Sequence, residues 1–268
     1  MLSREQIHAI TPELICLDVE GIAVMGSYAR GNATPYSDID VICLMKDQFE
    51  NNPGPQIDLY HGVYRVVHRI DEKSLRVCFD DPIRAVYDII GLQQMQILYD
   101  PIEKLRRLQQ DAFAFVWTET LQQKADAILN REMLAWQEEC YKAMAGVCEK
   151  QDGKMLLGLY GLTYGLVKLM LVAKGVLLQS ENDFYEQLCL AYSEEPNGKD
   201  LVDMMGLAFG LEDGFPLLQR VETGLLLYLQ FAEYLAARLT PEVRAQCDTI
   251  QMKLEDLILS ERQLAALK

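Results

Sequence analysis

The chain is 268 residues long, half of them hydrophobic, with a formal net charge of −15 at pH 7. That length supports one large or two modest domains with ample core, while the acidic balance excludes broad contact with nucleic-acid phosphates, which needs clustered Lys and Arg. Seven scattered cysteines without a C-x-x-C pair, beside only three histidines, exclude a disulfide framework and a zinc site, and the opening run Met1 to Gln6 is no apolar leader, so a cytoplasmic location is expected.

In chain order, the pattern predicts a first amphipathic helix from about Ser3 to Asp18. Two short, apolar, β-branched runs follow, Gly21 to Met25 and Val41 to Leu44, and read as buried strands. The glycines, Asn32 and Pro35 between them read as turn. Gln56 to Tyr60 alternates polar and apolar as a half-buried strand does, and a hairpin around Gly62 leads into Val63 to Arg69. A helix from about Pro82 to Gly91, a strand from Gln96 to Asp100 stopped by Pro101, and a helix through Ile102, Leu105 and Leu108 complete this part.

Beyond Thr118 nearly everything has helical period. One helix is predicted from Thr118 to about Lys150, a second from Lys154 to Leu178, and five or six in all. The second of these is strongly apolar, but Lys168 and Lys174 interrupt it before the ~20 residues a bilayer requires. It is read as a central bundle helix and not as a membrane span. Gly158, Gly161 and Gly165, at spacings of three and four, give it a small-residue face for close approach of another helix. The fold class is therefore α+β: a mixed sheet with flanking helices over residues 1–117, then an all-α helical bundle over 118–268.

The segment from Gly26 to Asp40, GSYARGNATPYSDID, carries the chemistry. Residues two apart on a strand share a face, so Asp38 and Asp40 enter one space while Ile39 goes to the core. Two such carboxylates repel unless a cation lies between them, and hard oxygen ligands suit Mg²⁺, which also binds substrate phosphates. The Gly26-Ser27 turn offers a backbone N–H and a hydroxyl to a phosphate without a clashing side chain. Neither G-x-x-x-x-G-K-[ST] nor G-x-G-x-x-G is present. Metal-assisted phosphoryl or nucleotidyl transfer is the chemistry these pieces describe.

GSYARG followed by YSDIDV resembles the signature of the polymerase-β-like nucleotidyltransferases, in the branch that holds antibiotic nucleotidyltransferases and the minimal nucleotidyltransferases of toxin–antitoxin pairs. The resemblance implies ATP as donor, with Gly26 and Ser27 binding the triphosphate and Arg30 near the phosphates. It also implies Asp38 and Asp40 as ligands of two Mg²⁺ ions roughly 3.5 to 4 Å apart. A third carboxylate is expected on a neighbouring strand, and Asp58 is the candidate, against the alternative of a surface aspartate beside a turn. The segment Ile97-Leu98-Tyr99-Asp100-Pro101 is similar to the way such catalytic domains close.

On the helix after Thr118, Glu138 and Lys142 are four apart and share a face. An exposed salt-bridged pair is the plain reading. In kanamycin-type nucleotidyltransferases a Glu-x-x-x-Lys pair stands on the corresponding helix, and that resemblance implies Glu138 as general base and Lys142 at the nucleotide phosphates, with Glu139 as a competitor. The function so implied is transfer of AMP to a hydroxyl of a small molecule of aminoglycoside or lincosamide type, the helical part forming the acceptor-binding domain. An acidic cleft favours a cationic acceptor. Those relatives complete their sites across a homodimer, and a homodimer stays open here. The alternative is AMP transfer to a protein hydroxyl, or an antitoxin-type nucleotidyltransferase; the helical half has no histidine for the R-x4-6-H motif of a companion toxin.

Overall fold

A computed structural model describes residues 1–46 and 54–266, with side chains through Leu257. The chain divides into two compact units, Met1–Leu121 with Leu177–Glu181, and Gln122–Val176 with Asn182–Lys268. The sequence pattern changes at 117/118; the compact units part four residues later, and a five-residue segment from beyond the long apolar helix returns to the first unit.

The first unit is built on a five-stranded mixed sheet: β1 (Val19–Val24), β2 (Ile39–Met45), β3 (Gln56–Tyr60), β4 (Val63–Asp71) and β5 (Gln96–Tyr99), in the order β3-β4-β2-β1-β5. β2 and β4 run parallel; the other neighbours are antiparallel. β1 and β2 are nearly continuous apolar runs because both their faces are covered. On one face lies α1 (Arg4–Leu14), whose Ile7, Ile10 and Leu14 join Ile22, Val24, Ile39, Val41 and Cys43 in a core. A capping box fixes its start, the Ser3 hydroxyl accepting from the Gln6 N–H and the Gln6 side chain accepting from the Ser3 N–H. It stops at Leu14, short of the predicted Asp18, after Pro12 has removed one N–H from the last turn.

The other face is covered by α4 (Pro82–Gln94) and α5 (Lys104–Phe113), which bury Ala85, Ile89, Leu92, Leu105 and Leu108 against Ala23, Ile42 and Leu44. Asp81 caps α4 through the Arg84 N–H, with Pro82 in the first turn where its missing N–H costs nothing. Between β1 and β2 the expected turn contains a one-turn helix, α2 (Gly26–Arg30), closed by Gly31 in the left-handed region. A second short helix, α3 (Glu72–Arg76), follows β4. Leu177–Glu181 is tied to α4 by the Leu178 N–H, which donates to the Val86 carbonyl at 2.8 Å.

The second unit holds seven α-helices among the described residues, against the five or six predicted: α6 (Glu119–Ala135, its first turn in the other unit), α7 (Gln137–Glu149), α8 (Asp152–Lys174), α9 (Phe184–Tyr192), α10 (Gly198–Phe209), α11 (Leu217–Tyr234) and α12 (Pro241–Ala266). The single helix expected from Thr118 to Lys150 is two, jogged at Trp136. Periodicity did not show the jog because the Trp136 N–H still donates to the Glu132 carbonyl and Trp136 O still accepts from Glu139 and Cys140.

α8 is long and apolar enough to cross a membrane by length and composition, yet 67% of its most apolar stretch is buried within the protein, as in a core helix. Its glycine face receives α7 and the jog: Gly158 lies against the Ala143 backbone, Gly161 against Glu139 and Gly165 against the Trp136 indole. A Cβ at Gly165 overlaps the indole ring, so Gly165→Ala is expected to lower unfolding free energy by roughly 1–3 kcal/mol in a urea titration. An unchanged midpoint would contradict this packing.

Candidate active site

β1 and β2 pair in register Val24↔Val41, and beyond that pair the Met25 N–H donates to the Asp40 carbonyl at 2.9 Å. This places the Gly26 backbone against the start of β2. Gly26 has φ +64°, and a Cβ there would lie 2.9 Å from Asp40 Oδ2. Glycine is required twice over, for the left-handed conformation and for the space beside the carboxylate.

The loop into β2 is held by its own side chains. The Ser37 hydroxyl accepts from the Thr34 N–H at 2.9 Å, and the Thr34 hydroxyl accepts from the Tyr36 N–H at 3.2 Å. Asp38 is exposed just before β2, Ile39 is fully buried on the α1 side, and Asp40 is half-buried on the opposite face, shared with Ile42 and Leu44. Ile39 and Asp40 therefore turn to opposite faces, as alternation along β2 requires. Burial pushes the Asp40 carboxyl above its ordinary pKa and the Asp38 charge adds to this, while His68 and Arg30 oppose it.

Asp58 does not join the pair. β3 and β4 pair Asp58 with Arg65, and β4 and β2 pair Arg65 with Ile39, so Asp58 lies on the α1 face of the sheet, opposite Asp38 and Asp40. Arg65 binds Asp58 through two nitrogens at 2.8 and 2.7 Å and Glu13 of α1 at 2.7 Å, and stacks over the Tyr60 ring. Asp58 is a structural partner of a buried guanidinium, which corrects its expected role as a metal ligand and catalytic acid. Asp58→Ala should leave turnover near the wild-type rate and cost roughly 1–3 kcal/mol of stability, since Arg65 loses its main partner. The Arg65 hydrogen bond holds the Asp58 carboxyl below its ordinary pKa. Its contribution is thus full above the unfolded value of about 3.9 and is lost as pH falls through the folded one, so the variant should lose less stability than wild type between about pH 5 and about pH 3. A large loss of turnover in a stable Asp58→Ala protein would reinstate the catalytic role.

In the helical unit, Glu138 and Lys142 lie on α7, but Lys142 is paired with Glu139, Nζ to Oε1 at 2.5 Å, and Glu138 is exposed. Spacings of three and four both meet on a helix; burial separates them here, because Glu139 faces Gly161 of α8 while Glu138 faces outward. The other Glu139 oxygen, Oε2, is buried without a hydrogen-bond partner.

Residues 10–128 match the family model described as the nucleotidyltransferase domain. This part of the chain is a nucleotidyltransferase domain. The protein is accordingly an enzyme of the nucleotidyltransferase class, and the polymerase-β-like architecture expected from GSYARG and YSDIDV stands at that level. Among solved structures, a nucleotidyltransferase-like protein from Exiguobacterium sibiricum 255-15 is similar over 87% of this chain and 74% of that one, at 14% identity and a TM-score of 0.49. No curated protein matches the chain.

Two features of the nucleotidyltransferase domain lay beyond the sequence reading. His68 stands on β4 opposite Ile42, on the face that carries Asp40, and its charge favours ionised Asp40; strand alternation alone could not assign that face without the register. Arg30 donates from Nη1 to the Gln179 carbonyl at 3.3 Å, a partner 149 residues away that no local pattern announces.

Proposed function

We propose that the nucleotidyltransferase domain moves AMP from ATP, with Mg²⁺, to a hydroxyl of a small molecule of antibiotic type, aminoglycoside or lincosamide, in the cytoplasm. The observation that carries this reading is the bare Gly26 backbone set against Asp40, with Asp38 exposed two residues before it. A pair of carboxylates suits Mg²⁺, which keeps waters and takes substrate phosphates as its remaining ligands. Among the described residues no group of three or more His, Cys, Asp or Glu side chains forms a cage for a metal, so the donor set fits a substrate-bridged ion better than a closed site. When bound, Mg²⁺ supplies neutralisation of charge at the α-phosphate and the departing pyrophosphate.

The chain's own residues then have distinct tasks. Asp38 and Asp40 hold the cation; Gly26 and Ser27 present the turn to the triphosphate; Arg30, oriented by the Gln179 carbonyl, adds positive charge beside it. By the kanamycin-type resemblance alone, Glu138 is the candidate base for the acceptor hydroxyl and is exposed, while Lys142, the candidate for the phosphates, is paired with Glu139. Glu138→Gln is expected to lose turnover far more than ATP binding, measured by single-turnover kinetics beside equilibrium titration, and a normal rate would return Glu138 to a solvated surface role.

The reading as a whole is tested by pyrophosphate release from ATP and Mg²⁺ across aminoglycosides and lincosamides. Release that depends on one compound supports it. Silence across both classes, with ATP binding intact, rejects the antibiotic acceptor.

A further inference from the structure

The sheet face that carries Asp40 is covered only in part. Towards the ends of β2 and β4, Ile42, Leu44 and Ile70 pack beneath the helices. On the outer strands the same face is bare: Tyr64 is 64% exposed, Leu59 66% and Ile57 62%. The register makes these one surface, since Leu59 pairs with Tyr64 and Ile57 with Val66. Asp40 pairs with Val66 and Val66 with Ile57, and Tyr64 lies two residues before Val66 on the same face of β4. With strands about 4.8 Å apart, Ile57, two strands over, lies about 10 Å from Asp40.

The sheet order gives this strip a direction. β1 and its Gly26 turn flank β2 on one side; β4 and β3 flank it on the other. In-line transfer places the attacking and departing oxygens on opposite sides of the phosphorus. With the pyrophosphate drawn towards Gly26, Ser27 and Arg30, the attacking hydroxyl approaches from the β4 and β3 side. We infer that Ile57, Leu59 and Tyr64 bind the body of the acceptor, and that the acceptor is a hydroxyl-bearing small molecule with an apolar ring or alkyl face and not a polycation polar on every side. This rests on the nucleotidyl-transfer reading and narrows its substrate class. The step balances as substitution at the α-phosphorus: the acceptor oxygen forms the new P–O bond, the bond to the β-phosphate bridging oxygen breaks, pyrophosphate leaves with that electron pair, and the hydroxyl proton goes to a base.

The test uses the full chain with ¹³C-labelled Ile and Leu methyls, Mg²⁺ and a non-hydrolysable ATP analogue, titrated with methyl, butyl and octyl β-D-glucoside below their micellar concentrations. The Ile57 and Leu59 methyl signals should move, and affinity should rise by about tenfold from methyl to butyl, the gain from partial burial of three added methylenes. Leu59→Asn and Tyr64→Ser, both at exposed positions, should each flatten that chain-length dependence while leaving affinity for the ATP analogue unchanged. Affinity independent of chain length, or shifts confined to other methyls, would overturn the inference. So would Ile57 shifts that follow protein concentration and vanish in Leu59→Asn, since a second copy of the chain would then cover the strip. Binding is read here without turnover, so failure of the pyrophosphate panel and failure of this titration are separate results.

Discussion

Replacing Asp40 with asparagine should lower nucleotidyl transfer by on the order of 10³-fold or more, the several kcal/mol that loss of a metal-holding carboxylate removes from transition-state stabilisation. The same substitution should leave the melting temperature unchanged or raised. Asp40 is half-buried beside Asp38, and burial followed by that neighbour's charge lifts its carboxyl pKa. A carboxyl whose folded pKa is raised favours folding most at low pH and loses that advantage as pH rises through the folded value, so ionised Asp40 costs stability at neutral pH and asparagine removes the cost. Added Mg²⁺ should reverse the order: a cation bound to the native state stabilises wild type and leaves the variant as it was. Calorimetry with and without Mg²⁺, beside pyrophosphate release, reads both halves. A variant that is inactive because it melts early would refute this explanation of the loss.

Gly26→Ala should cost about 10²-fold in kcat/KM and roughly 1–2 kcal/mol in stability. The stability term comes from the left-handed backbone at φ +64°, and the activity term from a Cβ placed 2.9 Å from Asp40 Oδ2, which turns the carboxylate away from its partner. Gly31→Ala separates the two. Gly31 also has a positive φ, +76°, but a Cβ there meets open space. It should lose comparable stability and keep most of its activity. Equal losses of activity in both variants would mean that the backbone of α2, and not the contact with Asp40, sets the rate.

How far the sequence disclosed this arrangement depended on the range of each signal. Asp38 and Asp40 were legible because their face follows from period-two alternation within a single strand, between two apolar runs that have little choice but to be buried. Asp58 was misread because alternation along β3 separates two faces without saying which is which. That information lies in the pairing of Asp58 with Arg65 and of Arg65 with Ile39, and in Glu13 arriving from α1 to share the guanidinium. Lys142 was matched with Glu138 by spacing, whereas its partner Glu139 is chosen by the glycine face of α8, a tertiary feature. The break at Trp136 escaped because helical hydrogen bonding and periodicity both run through it; only the indole seated over Gly165 marks the position.

The most direct test of nucleotidyl transfer at the Asp38–Asp40 pair is label tracing with an accepted hydroxyl compound. Parallel reactions with [α-³²P]ATP and [γ-³²P]ATP would be compared in the wild type and in Asp40→Asn. The α-label should appear on the acceptor and the γ-label in pyrophosphate, with both signals lost in the variant. Transfer of the γ-label to the acceptor, or α-label transfer undiminished in Asp40→Asn, would contradict the account.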